Sequence, residues 1–401
     1  MTTLSVVIPA YNEENGIAEI AGRVLSVKND LKNVGVADLE LLVVDDGSGD
    51  KTAEVASQIA GIRLIRHAQN KGYGAALKTG FSEANGELIG FLDADGTYPP
   101  EFFPQLCQKA LNGNDLVIGS RMAGSESKMP LTRRVGNLFF ATLLTLMGRQ
   151  KVSDSASGMR VFKREVLERI YPLPDGLNLT PVMSTRAVHE GIQMVEVPIP
   201  YDERVGSSKL SVVRDGSLFL QSMVWTVLTY NPVRIFGIIG LVGILFALAV
   251  AIGLIITRIS GITSLGPWGV AAVYAAMVAG IAGISVFALG STFNYLVSLF
   301  YEQPIRQGLF GKPIFDPSLD HYFGWIGLLA LVGGLVLGGI STILGVNGWD
   351  IARLWLYLLG SAMFILMGLQ LMIYWILMRA LEELSQRGEL TKRDMGISTE
   401  S

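Results

Sequence analysis

Along the first half of the chain, short apolar runs alternate with amphipathic stretches. Leu4–Pro9, Leu39–Val44, Ile62–Arg66, Leu88–Leu92 and Leu116–Ile118 are mostly apolar and too short for helices, so they read as strands of a buried sheet. Between them lie helical segments. One begins near Glu13-Glu14 and runs to about Val27, with the acidic pair in its first turn. A second starts at Lys51, capped by Asp50. A third runs from Asn70-Lys71-Gly72-Tyr73-Gly74 through Ala84, and a fourth is opened by Pro99-Pro100. Strands alternating with helices predict an α/β fold with a mostly parallel sheet.

The second half changes character. Four long apolar stretches, about Ile235–Thr257, Trp268–Leu299, Phe323–Leu344 and Leu354–Met378, carry no Asp, Glu, Lys or Arg in their middles. Each exceeds or approaches the roughly 20 apolar residues that cross a bilayer. Trp268, Tyr301, Trp325, Trp349, Trp355, Tyr374 and Trp375 stand near their ends, as interfacial aromatic belts do. Four transmembrane helices are therefore predicted. Arg133–Met147 and Leu210–Tyr230 are apolar on one face, suiting either the membrane interface or packing on the first domain. Pro232 breaks the chain before the first span.

Composition sharpens this. The chain has 401 residues, enough for two domains, with 50% hydrophobic and 17% charged residues, the latter crowded into the first half. A formal charge of −3 leaves no basic footprint for nucleic acid. Cys107 is the only cysteine, so no intrachain disulfide or cysteine-built zinc site is available, in keeping with a reducing cytosolic side. The start lacks the pattern of a signal peptide. Arg306 and Lys312 between the second and third spans, and Arg379, Arg387, Lys392 and Arg393 after the fourth, outnumber Arg258 and Arg353 in the other two connections. Positive-inside then predicts that the N-terminal domain, middle loop and tail are cytosolic.

Ligands of open α/β sheets bind at the carboxyl ends of strands. Here those ends carry Pro9-Ala10-Tyr11, Asp45-Asp46, and Asp93-Ala94-Asp95, so the polar motifs converge on one rim. Strand alternation would put Asp93 and Asp95 on one side of the chain. Two hard oxygen donors there suit Mg²⁺ or Mn²⁺ on a diphosphate. Alone, Asp95-Gly96 is equally what an ordinary turn looks like.

Three segments together, Ser5–Glu14, Val43–Ser48 and Asp93–Asp95, resemble family-two glycosyltransferases of GT-A fold. Ser153–Arg160 and Glu203–Lys209 are similar to segments of the polyprenyl-phosphate glycosyltransferases, whose members include dolichol-phosphate mannosyltransferases and bacterial undecaprenyl-phosphate glucosyltransferases. Pro232-Val233-Arg234, Tyr301-Glu302 and Gly311-Lys312-Pro313 resemble the bacterial branch with a two-helix anchor, and the last helix pair is additional to that branch. The likeness covers roughly residues 1 to 315. The Gln-x-x-Arg-Trp motif of processive synthases is absent, which argues for transfer of one sugar.

The resemblance implies a GT-A (nucleotide-diphospho-sugar transferase) domain and an inverting transfer from a UDP- or GDP-sugar to a polyprenyl phosphate, with Mg²⁺ or Mn²⁺. It assigns Pro9, Ala10, Tyr11, Glu13, Asp45, Asp46, Asp93, Ala94 and Asp95 to the nucleotide-sugar, and Asp93 and Asp95 to the metal, Asp95 first. Thr97, where some relatives have a metal-binding glutamine, makes a third side-chain ligand doubtful. A phosphate monoester loses its second proton near pH ~6, so the acceptor needs no general base but does need cations. Arg121, Arg133, Arg134, Arg204 and Lys209 are available, Arg204 and Lys209 being the leading pair; Asp154 would orient the acceptor or pair with an arginine. Asp93, Asp95, Arg204 and Lys209 are the expected catalytic residues.

The implied layout is a cytosolic catalytic domain over 1–205, an interfacial helix and acceptor loop over 206–232, and a first hairpin over 233–300. A cytosolic loop over 301–322, a second hairpin over 323–379 and a cytosolic tail over 380–401 complete it. A prokaryotic cell membrane is the expected setting, as a monomer or a homo-oligomer. A hydroxyl acceptor on another lipid or a glycan, a nucleotide-sugar-binding transporter, and a scaffold with an inactive site are the competing readings. The spans lack the ionisable residues of many polar transport paths, and retention of the acidic motifs weighs against an inactive scaffold.

Overall fold

A computed structural model describes residues 2–122, 129–147, 150–201, 212–262, 265–301 and 318–394. The chain divides into two units, Met1–Val227 and Leu228–Ser401.

In the first unit a seven-stranded sheet has the order β3-β2-β1-β4-β6-β5-β7. Its strands are β1 (Thr2–Ala10), β2 (Val36–Asp45), β3 (Ile62–Arg66), β4 (Leu88–Phe91), β5 (Leu116–Ser120), β6 (Arg160–Lys163) and β7 (Met194–Pro198). β6 runs antiparallel to β4 and β5, and the remaining pairings are parallel. The expected strands are all present, and β6 and β7 are additional to them. β6 was hidden because its four residues hold one buried arginine and one lysine. Leu4–Ala10 is buried throughout, as a central strand covered on both faces requires.

The covering helices divide by face. Val6 and Ile8 pack with Ile17, Ile20 and Val24 of α1 (Ile17–Ser26), Leu31 of α2 (Lys28–Asn33) and Phe103 and Leu106 of α5 (Phe103–Leu111). Between these come α3 (Thr52–Ser57) and α4 (Tyr73–Glu83). On the opposite face Val7 meets Leu77 and Phe81 of α4, and further along the chain Val166 of α7 (Val166–Ile170) and Met183 of α8 (Leu179–His189). Phe81 anchors that layer, 5.7 Å from Phe91 and 5.3 Å from Phe162 between ring centroids. α1 begins later than expected: Glu13 closes a turn by accepting from Gly16 and Ile17 N–H, ahead of the helix proper. Likewise α3 starts at Thr52, whose N–H donates to Asp50 Oδ1 at 2.9 Å.

Register aligns the functional rim. Ala10 pairs with Asp45, and Asp45 with Arg66, so β1, β2 and β3 stop level with one another. β4 stops at Phe91, opposite Val7, and the chain leaves the sheet before Asp93.

α6 (Leu131–Met147) and α9 (Val212–Tyr230) pack on this unit and on each other. Phe140 and Phe219 rings lie 6.1 Å apart, and Leu144 and Met223 are fully buried in one cluster with Val152 and Val188. Packing on the domain is thus observed for both. Each also keeps exposed apolar residues, Leu131, Val135, Leu138 and Phe139 on α6 and Trp225 on α9.

The second unit holds α10 (Pro232–Ile259), α11 (Pro267–Tyr301), α12 (Phe323–Val346) and α13 (Ile351–Asp394), all long and apolar enough to cross a membrane. Close packing comes from small residues, as expected between helices in lipid. A Cβ on Gly240 of α10 would stand 2.5 Å from Gly283 O of α11, and one on Gly327 of α12 2.8 Å from Gly368 O of α13. Ser361 Oγ of α13 donates to Gly334 O of α12 at 2.8 Å. The two pairs meet through Tyr295, Phe323, Leu371 and Met378. Four such helices make this a multi-pass membrane protein.

Candidate active site

The loops after β1 and β2 are laced into one wall. Asn12, at φ 53°, donates its N–H to Ser48 Oγ at 3.0 Å and accepts from Gly49 N–H at 2.9 Å. Glu13 N–H donates to Thr52 Oγ1 at 2.8 Å. Pro9, Ala10, Tyr11 and Glu13 thereby line a cavity of about 530 Å³. Asp46 lines it too. Its carboxylate accepts from Lys71 and Gly72 N–H at 2.9 and 2.8 Å and pairs with His67 Nδ1 at 2.7 Å, while His67 Nε2 meets Thr79 Oγ1 at 2.9 Å. Gly72 has φ 107°, and a Cβ there would stand 2.5 Å from Asp175 O, so only glycine fits. Asp45 is not among the lining residues: it is buried, accepts from Ser48 N–H at 3.2 Å and lies 3.5 Å from Arg66 Nε.

Asp93, Ala94 and Asp95 all face the cavity. Strand alternation does not put them there, since β4 has already ended. Local contacts do. Tyr73 OH donates to Asp93 Oδ1 at 2.7 Å. Behind the other oxygen lies Gly158, where a Cβ would stand 2.3 Å from Asp93 Oδ2. Gly158 is held by its N–H donating to Tyr98 OH at 2.7 Å. Asp95 folds onto its own turn: Oδ1 accepts from Thr97 Oγ1 at 2.6 Å and Thr97 N–H at 3.2 Å, around Gly96 at φ 74°. Thr97 therefore orients Asp95.

Cations enter the same cavity from β5 and α6. Arg121 and Arg133 line it, whereas Arg134 is exposed and does not. Arg121 is gripped by Asp154 through Nε at 2.8 Å and Nη2 at 2.7 Å, and its N–H also donates to Asp154 Oδ2 at 3.0 Å. Tyr98 and Tyr201 rings lie 5.7 and 5.3 Å from its guanidinium carbon. Asp154 is fully buried and off the cavity surface, so its contribution passes through Arg121. Burial alone would raise the Asp154 pKa, but the Arg121 charge and hydrogen bonds hold it below the ordinary carboxylate value. Glu196 accepts from Ser153 and Asp154 N–H at 2.8 Å each, fixing the segment. Arg160 is buried beneath it, donating to Ser155 O and Ser157 O, and burial pulls its pKa down to about 10. Met129, Phe140, Leu177 and Phe219 complete the wall. Arg204 and Lys209 lie outside the described residues.

Tyr73, Tyr98, Tyr201, His67, Asn137 and Gly158 are site residues that motif reading missed. Tyr73, Tyr98 and Gly158 fall inside or beside the motifs, and nothing in those motifs marks their contacts.

Among the described residues no group of three or more His, Cys, Asp or Glu is arranged to hold a metal. Asp93 and Asp95 nevertheless fit a hard cation completed by substrate, because Mg²⁺ is commonly held by one or two carboxylates plus phosphate oxygens.

Comparison with known proteins bears on the family of this chain. Residues 5–171 match the glycosyl transferase family 2, and residues 232–392 match a domain of unknown function (DUF8752). The dolichyl-phosphate hexose transferase of Haloferax volcanii is 33% identical over 221 residues, covering 55% of this chain and 92% of that protein. The undecaprenyl-phosphate 4-deoxy-4-formamido-L-arabinose transferase of Photorhabdus laumondii is 30% identical over 262 residues, covering 64% and 77%. A solved glucosyl-3-phosphoglycerate synthase from Mycobacterium tuberculosis aligns at a TM-score of 0.46 with 22% identity, covering 56% and 78%. A strand-end acidic rim on a GT-A-like mixed sheet, with relatives of this identity matched over most of their length, is why the chain belongs to the family 2 glycosyltransferases.

Proposed function

We propose that this glycosyltransferase moves one sugar from a nucleoside-diphosphate sugar to a polyprenyl phosphate at the cytosolic membrane face, with inversion. The observation that carries the reading is the composition of a single cavity. Asp46, Asp93 and Asp95 share it with Arg121, Arg133 and a set of apolar side chains, Met129, Phe140, Leu177 and Phe219. A donor diphosphate, an acceptor phosphate and the chain attached to that phosphate find matching chemistry in one cavity. The two relatives, a dolichyl-phosphate hexose transferase and an undecaprenyl-phosphate 4-deoxy-4-formamido-L-arabinose transferase, support the same reading.

In this reading the loops bearing Pro9, Ala10, Tyr11, Glu13 and Asp46 seat the nucleotide, with Asp45 supporting their turn. Asp93 and Asp95 would hold Mg²⁺ or Mn²⁺, which when bound neutralises charge on the departing diphosphate. An acceptor phosphate oxygen attacks the anomeric carbon as the bond to the diphosphate breaks, and the electron pair leaves with the nucleoside diphosphate. Arg121 and Arg133 offset the repulsion between the two anions, joined by Arg204 and Lys209. The arginine and lysine distribution supports a cytosolic site.

The test incubates the purified full chain with UDP- and GDP-sugars, a polyprenyl phosphate or diacylglycerol, and Mg²⁺ or Mn²⁺. Sugar transfer to the phosphate and not to the hydroxyl supports the reading; transfer to diacylglycerol alone overturns it. The Tyr73 hydroxyl is expected to matter in that assay because it fixes Asp93. Hydrogen bonds to charged groups contribute about 1.5–3 kcal/mol, so Tyr73→Phe should lower kcat about ten- to a hundredfold. KM for the lipid should stay unchanged, and steady-state rates at varied lipid check both.

A further inference from the structure

α4 reaches two of the cavity's carboxylates. Tyr73, in its first turn, donates directly to Asp93 at 2.7 Å. Thr79, farther along the same helix, reaches Asp46 through one intermediary. Its Oγ1 lies 2.9 Å from His67 Nε2, and His67 Nδ1 lies 2.7 Å from Asp46 Oδ1. Asp46 lines the cavity and His67 does not. His67 follows Arg66, the last residue of β3, and its backbone N–H donates to Asp45 O at 2.9 Å. His67 is therefore held at three points: the last residue of β2, the Asp46 carboxylate and α4.

A carboxylate offers about four acceptor positions. Three of those on Asp46 are taken: Oδ1 accepts from His67 Nδ1–H and Lys71 N–H, and Oδ2 accepts from Gly72 N–H. One position is left for a ligand in the cavity. Of the three donors, two are backbone groups of a single loop, and His67 is the side chain. The Asp46 and His67 side chains are 3% and 5% exposed, so water does not stand in for the imidazole. A buried carboxylate that loses such a donor either turns toward another or stays poorly satisfied, and both disturb what it presents to the cavity.

We infer that His67 is a positioning residue for nucleotide binding: it holds Asp46 so that the remaining acceptor position of the carboxylate meets a donor group of the nucleoside diphosphate. The inference rests on the reading of Asp46 as part of the nucleotide seat. His67 acts through Asp46 and touches no substrate, because its ring is buried and off the cavity surface. Thr79 supports it by fixing the far nitrogen of the ring. The chain of contacts from Thr79 through His67 ends at the wall that seats the nucleotide, so its loss bears on the donor and not on the lipid.

The experiment measures binding of UDP and of GDP to the full-length chain by calorimetry, and KM for the nucleotide-sugar and for the lipid phosphate from steady-state rates. Two amides separate the two ends of the ring. The side-chain nitrogen in His67→Asn overlies Nδ1 and can keep the bond to Asp46, whereas that in His67→Gln overlies Nε2 and keeps only the Thr79 contact. Hydrogen bonds to charged groups are the stronger class, so His67→Ala and His67→Gln should each weaken binding of the accepted nucleotide at least about tenfold. KM for the nucleotide-sugar should rise to match, with KM for the lipid unchanged. His67→Asn should recover most of the loss, and Thr79→Val should show a smaller loss in the same direction. Should His67→Ala fail to fold, the contrast between the two amides decides. Equal nucleotide affinity in His67→Asn and His67→Gln, or a folded His67→Ala that binds as the wild type does, would overturn the positioning role. Asp46→Ala tests the reading beneath it. If Asp46→Ala weakens nucleotide binding while the His67 variants do not, the inference alone fails. If Asp46→Ala binds as the wild type does, or the wild type binds neither UDP nor GDP, the nucleotide seat falls with it.

Discussion

Replacing Asp95 by alanine is expected to cut sugar transfer about a thousandfold or more while the protein still inserts and folds. The size follows from the task. A diphosphate leaving group develops charge as its bond to the sugar breaks, and removal of one preorganised electrostatic partner costs on the order of 10²–10³ in kcat; the loss of a cation's anchor adds to that. Asp95 is suited to such an anchor because it is 7% exposed yet lines the cavity, and Thr97 pins one of its oxygens with two hydrogen bonds. Asp95→Asn separates charge from shape. Asparagine keeps an oxygen for the Thr97 hydroxyl but loses the negative charge, so it should be nearly as inactive as alanine. Mn²⁺ titration in the presence of nucleoside diphosphate should show weakened binding in both variants, with circular dichroism unchanged. Turnover near wild type in Asp95→Ala would remove this residue from the reaction and return the Asp95-Gly96 turn to a structural role.

What the sequence made legible was the set of features that depend on short-range chemistry. Buried parallel strands read as apolar runs, and the four membrane helices read as long ones, because each pattern follows directly from what surrounds the segment. The convergence of Ala10, Asp46 and Asp93 on one rim was readable because level strand ends are a property of the fold class. Finer placement was not. Asp45 and Asp46 are adjacent and chemically identical, and strand alternation sends them to opposite sides without saying which one meets the cavity. Arg133 and Arg134 differ by about 100° around a helix, and the sequence does not say which direction the cavity lies. β6 eluded pattern reading because Arg160 occupies a core position that local polarity assigns to the surface. Tyr73, Gly158 and Asp93 meet from three distant parts of the chain, so no local window contains their contact.

The Arg121–Asp154 pair carries the largest expected stability effect. Asp154 is fully buried and makes three bonds to Arg121 plus one to Asn137, so its removal strands a guanidinium that is only 12% exposed. Breaking one side of a buried ion pair typically costs about 3–5 kcal/mol. Asp154→Ala should therefore melt well below wild type in detergent, and its transfer rate should fall because Arg121 loses its place in the cavity wall. The pH dependence has a definite sign. A carboxyl whose folded pKa is depressed contributes stability above its unfolded value, near ~3.9, and loses that contribution as pH falls through the folded value. The gap in stability between wild type and Asp154→Ala should accordingly be flat through neutral pH and narrow only below about pH 4. Replacing both partners, Asp154→Leu with Arg121→Met, distinguishes packing from function, because hydrophobic replacement of a whole buried pair is often neutral for stability. The double variant should regain most of the lost melting temperature yet remain a poor transferase, since the Arg121 guanidinium then no longer faces the acceptor phosphate. A double variant as active as wild type would show that Arg121 serves the fold alone, and the acceptor phosphate would then depend on Arg133, Arg204 and Lys209.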